Sequence, residues 1–300
     1  MYKMESHMDS WSPSRVAFLV CMTVVILWAT PQPAAGQAQS GPVAALSAEK
    51  VLANPGILHQ RLKVKNPGYN GQARFASDPA LGLVGDFTGS KISDLSPLTG
   101  IPFNALDLRG QPISDLKPLQ GMPLKLLGIE DTSVAMLTPL KGMKIEKLYL
   151  NNTPVNDPGP LAGMPLKELM LVGTKVKDLK ALRGAPLQSL WLNGTPVSDL
   201  SPLAGCPLVS LTLEGTKVAD LKPLSKMTIL KRLHIGQTPV SDLTPLRHLK
   251  LERLVFTPGN IKKGLDDVRN MKTLTEIGTT LEMLMPANDF WSRLDQRKGK

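Results

Sequence analysis

Three consecutive stretches, PLKELMLVGTKVKDLKALRGA (165–185), PLQSLWLNGTPVSDLSPLAGC (186–206) and PLVSLTLEGTKVADLKPLSKM (207–227), align residue for residue over 21 positions each. The frame runs backward through Lys144, Pro123, Pro102 and, in degenerate form, Leu81. It runs forward, after a one-residue slip, into LKRLHIGQTPVSDLTPLRHL from Leu230. The shared pattern is P-L-x-x-L-x-L-x-G-T-x-V-x-D-L-x-P-L-x-G-M. A fixed period of this length marks stacked repeats, in which a unit too small to bury its own apolar face is completed by its neighbours.

Each part of the unit has a physical role. The L-x-x-L-x-L segment ends with period 2, so Leu169 and Leu171 point one way and Met170 the other, as in a short strand with one buried face. Glycine at the ninth position (Gly89, Gly110, Gly173, Gly194, Gly215) permits a sharp turn off the strand. Threonine at the tenth (Thr132, Thr153, Thr174, Thr195, Thr216, Thr238) is placed to bond backbone groups inside the coil. Aspartate at the fourteenth (Asp94, Asp115, Asp157, Asp178, Asp199, Asp220, Asp242) is a suitable N-cap for the brief L-x-P-L turn that follows. Proline keeps that turn short.

This pattern resembles that of leucine-rich-repeat (LRR) proteins with threonine mostly in place of the usual asparagine, and the D-L-x-P-L turn resembles the internalin-like short-repeat class. The flanks RLKVKNPGYNGQARF (61–75), LERLVFTPGNIKKGLDDVRNMKTLTEIG (251–278) and MPANDFWSRLD (285–295) resemble the LRR regions attached to bacterial serine/threonine protein kinases. The resemblance covers about residues 58–300. It implies an α/β solenoid: a right-handed horseshoe of about eight 21–22-residue coils, a parallel sheet on the concave face, short 3-10 or irregular turns on the convex face, and helical caps. The kinase activity does not carry over, since no Gly-rich loop before a strand, no H-R-D and no D-F-G occurs.

Composition agrees with a scaffold more than a catalyst. Of 300 residues 42% are hydrophobic but only 4% aromatic, so the core must be built from Leu, Val, Ile and Met. Two cysteines, Cys21 and Cys206, exclude a disulfide framework and a Cys-rich metal site, and four histidines leave little for a metal or a catalytic base. Cys206 takes the slot filled by Met122, Met143, Met164 and Met227 in other coils, so a buried apolar role is expected of it. There is no P-loop, H-E-x-x-H or G-x-S-x-G. No cofactor and no metal is expected. Asn151 and Asn193 begin formal glycosylation sequons, but these coincide with the repeat pattern itself.

The chain divides into four parts by sequence. Residues 1–38 read as a signal peptide, or a short N-terminal anchor, with a small-residue linker: the uncharged run VAFLVCMTVVILWA (16–29) is shorter than a spanning helix and is followed by small residues. Residues 39–80 form an N-terminal cap and lead-in, with a short helix over 44–66 and irregular chain over 67–80. Residues 81–250 are the repeats. Residues 251–300 form a C-terminal cap, with a helix from Asn260 through Met271 and an amphipathic piece from Pro286 to about Arg297 that packs Phe290 and Trp291 against the last coil. The product is expected outside the cytoplasm: periplasmic, cell-surface or secreted.

The informative surface is the outward side of the strands, at positions four, six and eight of each unit. There the column Tyr149, Met170 and Trp191 forms an apolar centre, with Val172 and Leu126 nearby and Asp107, Arg109, Glu130, Asn151, Glu168, Asn193, Thr212, Glu214 and His234 around it. An exposed apolar centre with a polar rim is the layout of a protein-binding hot spot. His234 alone reads as an ordinary exposed residue. The expected activity is non-catalytic binding of a protein or peptide by a monomer, with no specific nucleic acid and no membrane beyond the possible anchor, in envelope sensing or signalling. Two alternatives are a hydrolase using Asp107 and Glu130 as a carboxylate pair, and a wall- or polyanion-associated structural protein using the net charge of +10.

Overall fold

The computed structural model describes residues 46–298. The expected signal segment lies outside them. After helices α1 (Ala48–Ala53) and α2 (Pro55–Lys65) come strands β1 (Arg74–Asp78) and β2 (Gly82–Asp86). Eight three- or four-residue strands follow: β3 (Ala105–Asp107), β4 (Leu126–Gly128), β5 (Lys147–Tyr149), β6 (Glu168–Met170), β7 (Ser189–Trp191), β8 (Ser210–Thr212), β9 (Arg232–Ile235) and β10 (Arg253–Phe256). Helix α3 (Leu265–Arg269), strands β11 (Glu276–Gly278) and β12 (Met285–Pro286), and helix α4 (Ala287–Lys298) complete the order.

All twelve strands form one sheet in sequence order, parallel from β2 to β11 and closed at each end by an antiparallel partner. The register follows the repeat. Leu106, Leu127, Leu148, Leu169, Leu190, Leu211, Leu233, Leu254 and Ile277 stand side by side, every one facing the core. One coil shows how little each unit encloses alone: Leu166, Leu169, Leu171, Val176, Leu179 and Leu182 are all buried, against the same positions of the coils before and after. Opposite each of β2 to β9 lies a 3-10 turn such as Lys180–Leu182 or Ser201–Leu203, the brief convex side of the solenoid.

The polar residues of the unit act as the sequence suggests, with one refinement. Each of the six threonine hydroxyls donates to the carbonyl three residues earlier, at 2.6–2.7 Å, inside the coil. Each of the seven aspartates accepts the backbone N–H two residues ahead at 2.7–2.8 Å. That is an Asx turn leading into the 3-10 turn, since the capping position itself is taken by the following residue, Leu179 in the coil of Asp178. The ninth position is left-handed throughout. Gly194 has φ 69°, and where glycine is missing Asp131, Asn152 and Gln237 adopt φ 54–56°.

The ends depart from the expected caps. The N-terminal helix is two helices, because Pro55 cannot continue α1 and instead opens α2. The lead-in holds β1, which pairs antiparallel with β2 and covers the sheet edge. Asn66 bolts this cap to the first coil: its Oδ1 accepts the N–H groups of Ser93 and Asp94 at 2.8 Å. At the other end the parallel sheet runs past residue 250 through β10 and β11. The helix expected from Asn260 begins only at Leu265. Asp242 bridges Lys263 in strand fashion, Gly264 turns the chain at φ 77°, and Asn260 donates to Thr238 O at 3.0 Å instead of capping. Phe290 and Trp291 on α4 are buried against Phe256, so the cap packing expected of them holds.

Candidate functional site

Strand alternation places the outward columns on the concave face. By register the sixth-position column reads Asp86, Asp107, Gly128, Tyr149, Met170, Trp191, Thr212, His234, Val255 and Gly278. Position eight adds Arg109, Glu130, Asn151, Val172, Asn193 and Glu214. The residues expected to share a face therefore do so, but their exposure differs from expectation.

Tyr149, Met170 and Trp191 do not form an exposed apolar centre. Tyr149 is 1% exposed and Met170 4%, and only Trp191 remains partly open. With Val84, Ala105 and Leu126 they make a second, smaller apolar cluster on the concave side. Parallel in-register strands lie about 4.8 Å apart, less than the width of these side chains, so each lies against the next. The Tyr149 hydroxyl donates to Glu168 Oε2 at 3.0 Å, and Glu168 also meets Lys147 at 2.8 Å. Burial first, then the charge of Glu168, pushes the phenol well above its ordinary pKa.

Asp107 and Glu130 are not a free carboxylate pair. Arg109 lies between them, its Nε 2.9 Å from both oxygens of Asp107 and 3.6 Å from Glu130 Oε2. Burial opposes the guanidinium charge, but the bonds and fields of Asp107 and Glu130 outweigh it and hold that pKa above its ordinary value. Asn151 extends the chain of bonds, donating to Glu130 Oε1 and accepting the Val172 N–H, both at 3.0 Å. The two carboxylates behind the hydrolase alternative are thus members of one ion-paired set built around Arg109.

The third departure is His234, which is 3% exposed, with neither ring nitrogen bonded. Its neighbour in register, Thr212, is 5% exposed with an unbonded hydroxyl, and Asn193 Oδ1 is likewise buried and unbonded. The loop between β11 and β12 approaches this end. A Cβ added to Gly236 would lie 2.8 Å from His234 Nε2 and 3.4 Å from Thr279 O. Burial pushes the imidazole pKa down to about 4, against the opposing charge of Glu282 in that loop. Burial, with the field of Glu282, raises that of Glu214. Glu282 and Gln237, which donates to Glu214 Oε1 at 3.3 Å, are the members of this region that the repeat pattern did not supply. Cys206 is buried as expected. Among the described residues no group of side chains fits a metal ion.

An internalin of Listeria monocytogenes superposes with a TM-score of 0.59 and 28% identity, over 63% of this chain and 58% of its own length. The chain is a leucine-rich-repeat protein. A second structure from the same organism, internalin C2, resembles this LRR chain with a TM-score of 0.56 and 23% identity over 67% of this chain and 92% of its own. No protein-family model matches, and no curated protein sequence does. The LRR chain thus spans little more than half of the first of these structural relatives.

Proposed function

We propose that this LRR protein is an exported, non-catalytic binding module that holds a protein or peptide partner against its concave sheet. One observation carries the reading: the contrast between that face and the rest of the chain. Positions four, six and eight of β2–β11 contain one lysine, Lys147, of the 24 in the chain. They carry Asp86, Asp107, Glu130, Glu168, Glu214 and Glu276 against Arg109, Lys147, Arg232 and Arg253, so a net acidic strip crosses a protein of net charge +10. Lysine depletion and aromatic side chains distinguish interfaces from ordinary solvated surface. Invariant leucines facing in and a different residue at nearly every outward position is the arrangement of a scaffold with a grafted recognition face.

Similarity to internalins supports binding as the activity, and the hydrophobic segment at 16–29 supports export. Among the described residues no helix is long and apolar enough to cross a membrane. The flank resemblance supports a role beside, or in place of, kinase-linked LRR segments in envelope sensing. The test is retention of a partner from the envelope fraction by the full chain and by Trp191→Ala. Loss of retention by more than about tenfold is expected; an unchanged affinity, within about 1 kcal/mol, removes the concave face as the site. The polyanion alternative draws on the basic residues outside this face, and it predicts retention that collapses with salt.

A further inference from the structure

We propose that the concave face between β7 and β9 is a subsite for one positively charged side chain, lysine or arginine, of the bound partner. This rests on the concave-face reading above and specifies what that face recognises.

Five of the six concave carboxylates have a cation of the chain's own beside them. Asp86 meets Arg74, Asp107 and Glu130 share Arg109, Glu168 meets Lys147, and Glu276 meets Arg253. Glu214 has none. The ionisable groups near it are His234, 3.9 Å away and neutral at pH 7, and a second carboxylate, Glu282, whose field adds to its own, while its hydrogen-bond donors are amides at the long distances of 3.3 and 3.4 Å. In the N-terminal coils the same sixth and eighth positions are filled by Asp107, Arg109 and Glu130, where the arginine completes the set. At the same positions of β8 and β9 the carboxylate Glu214 is present and the cation is missing.

The surrounding atoms are of matching type. Asn193 directs its N–H at Glu214 and leaves its oxygen buried without a donor. A neutral imidazole offers one acceptor nitrogen, and the Thr212 hydroxyl can accept as well as donate. All three are buried and unbonded, in a protein whose six repeat threonines are each satisfied. Buried polar groups without partners are costly enough to be rare in native chains. An ammonium or guanidinium has several donors and no acceptor, which is what this acceptor-rich set lacks. Trp191, next to Thr212 in register and partly exposed, adds an aromatic face on the same strip, suited to a cation.

The test uses the full chain and blocked Gly-Gly-X-Gly-Gly peptides with X as Lys, Arg, norleucine or Glu. The indole N–H signal of Trp191 is followed by NMR and assigned with Trp191→Phe. The Lys and Arg peptides should shift it saturably and the other two should not. Glu214→Gln should weaken the Lys peptide by about tenfold or more, the scale of a charge-assisted bond, with thermal unfolding of the variant as the folding control. Equal shifts from the Lys and norleucine peptides, no shift from Lys, or a Glu214→Gln variant that binds as before would each overturn the subsite. If the peptides fail while Trp191→Ala still abolishes partner retention, the subsite falls and the concave-face reading stands. If the peptides bind while retention ignores Trp191, the reverse holds.

Discussion

Thr174 offers the cleanest measure of what the repeat's polar ladder contributes. Its hydroxyl donates to Leu171 O at 2.7 Å in a site only 2% exposed, and the same carbonyl also accepts the Thr174 N–H at 3.1 Å. Removing the hydroxyl therefore does not orphan the carbonyl, and the loss is that of one ordinary buried bond, about 1 kcal/mol. Thr174→Ser keeps the hydroxyl and deletes a buried methyl, about 0.8 kcal/mol. Thr174→Ala deletes both, so about 2 kcal/mol is expected, while exposed Thr138→Ala should stay within about 0.5 kcal/mol. Adding Thr216→Ala, two coils away, to Thr174→Ala should be additive within about 0.5 kcal/mol. Urea melts of the full chain report these as shifts of midpoint at constant slope. If Ser and Ala at 174 are equally costly, the hydroxyl contributes nothing and the ladder is packing alone.

Three further outcomes follow from the geometry. His234 titrates near 4 in the folded chain and near 6.5 when unfolded, so the unfolded state takes up the proton first as pH falls. Wild type should lose up to about 3 kcal/mol between pH 6.5 and 4. Glu214, with its pKa raised, offsets part of this in the opposite sense, and a His234→Leu variant should lack the histidine component in a pH series of melts. Gly194→Ala forces a side chain into φ 69° and should cost about 1–2 kcal/mol, although the added Cβ meets nothing closer than 3.9 Å. Asp107→Asn should lower the melting temperature by loosening Arg109, with Arg109→Met alongside as the comparison. Substrate hydrolysis by wild type that Asp107→Asn abolishes would restore the carboxylate-pair reading.

The sequence carried the solenoid because its determinants are local and repeated. Leu169 against Met170 sets which way a strand faces, Gly194 sets the turn, and Thr174 and Asp178 bond within their own coil. The concave face was legible as a list of residues but not as a surface. Whether Tyr149 is exposed depends on strand spacing and on Leu126 and Met170 beside it, which no single unit encodes. Arg109 between Asp107 and Glu130 could have been read, since Asp107 and Arg109 are two apart on one strand and share its face. The burial of His234 could not, because the loop that approaches it comes from residues 279–284, where the repeat has already ended. The same loss of pattern after residue 250 explains why β10 and β11 fell within what looked like a cap, and why α3 starts late.

The most direct test is photo-crosslinking with the partner bound. A photoreactive side chain is placed singly at Ser189 or Arg232 on the concave strands, and at Lys180 or Lys222 on the convex turns. Adducts from the concave positions alone are predicted. Adducts from the convex positions with none at Ser189 or Arg232 would contradict binding by the sheet.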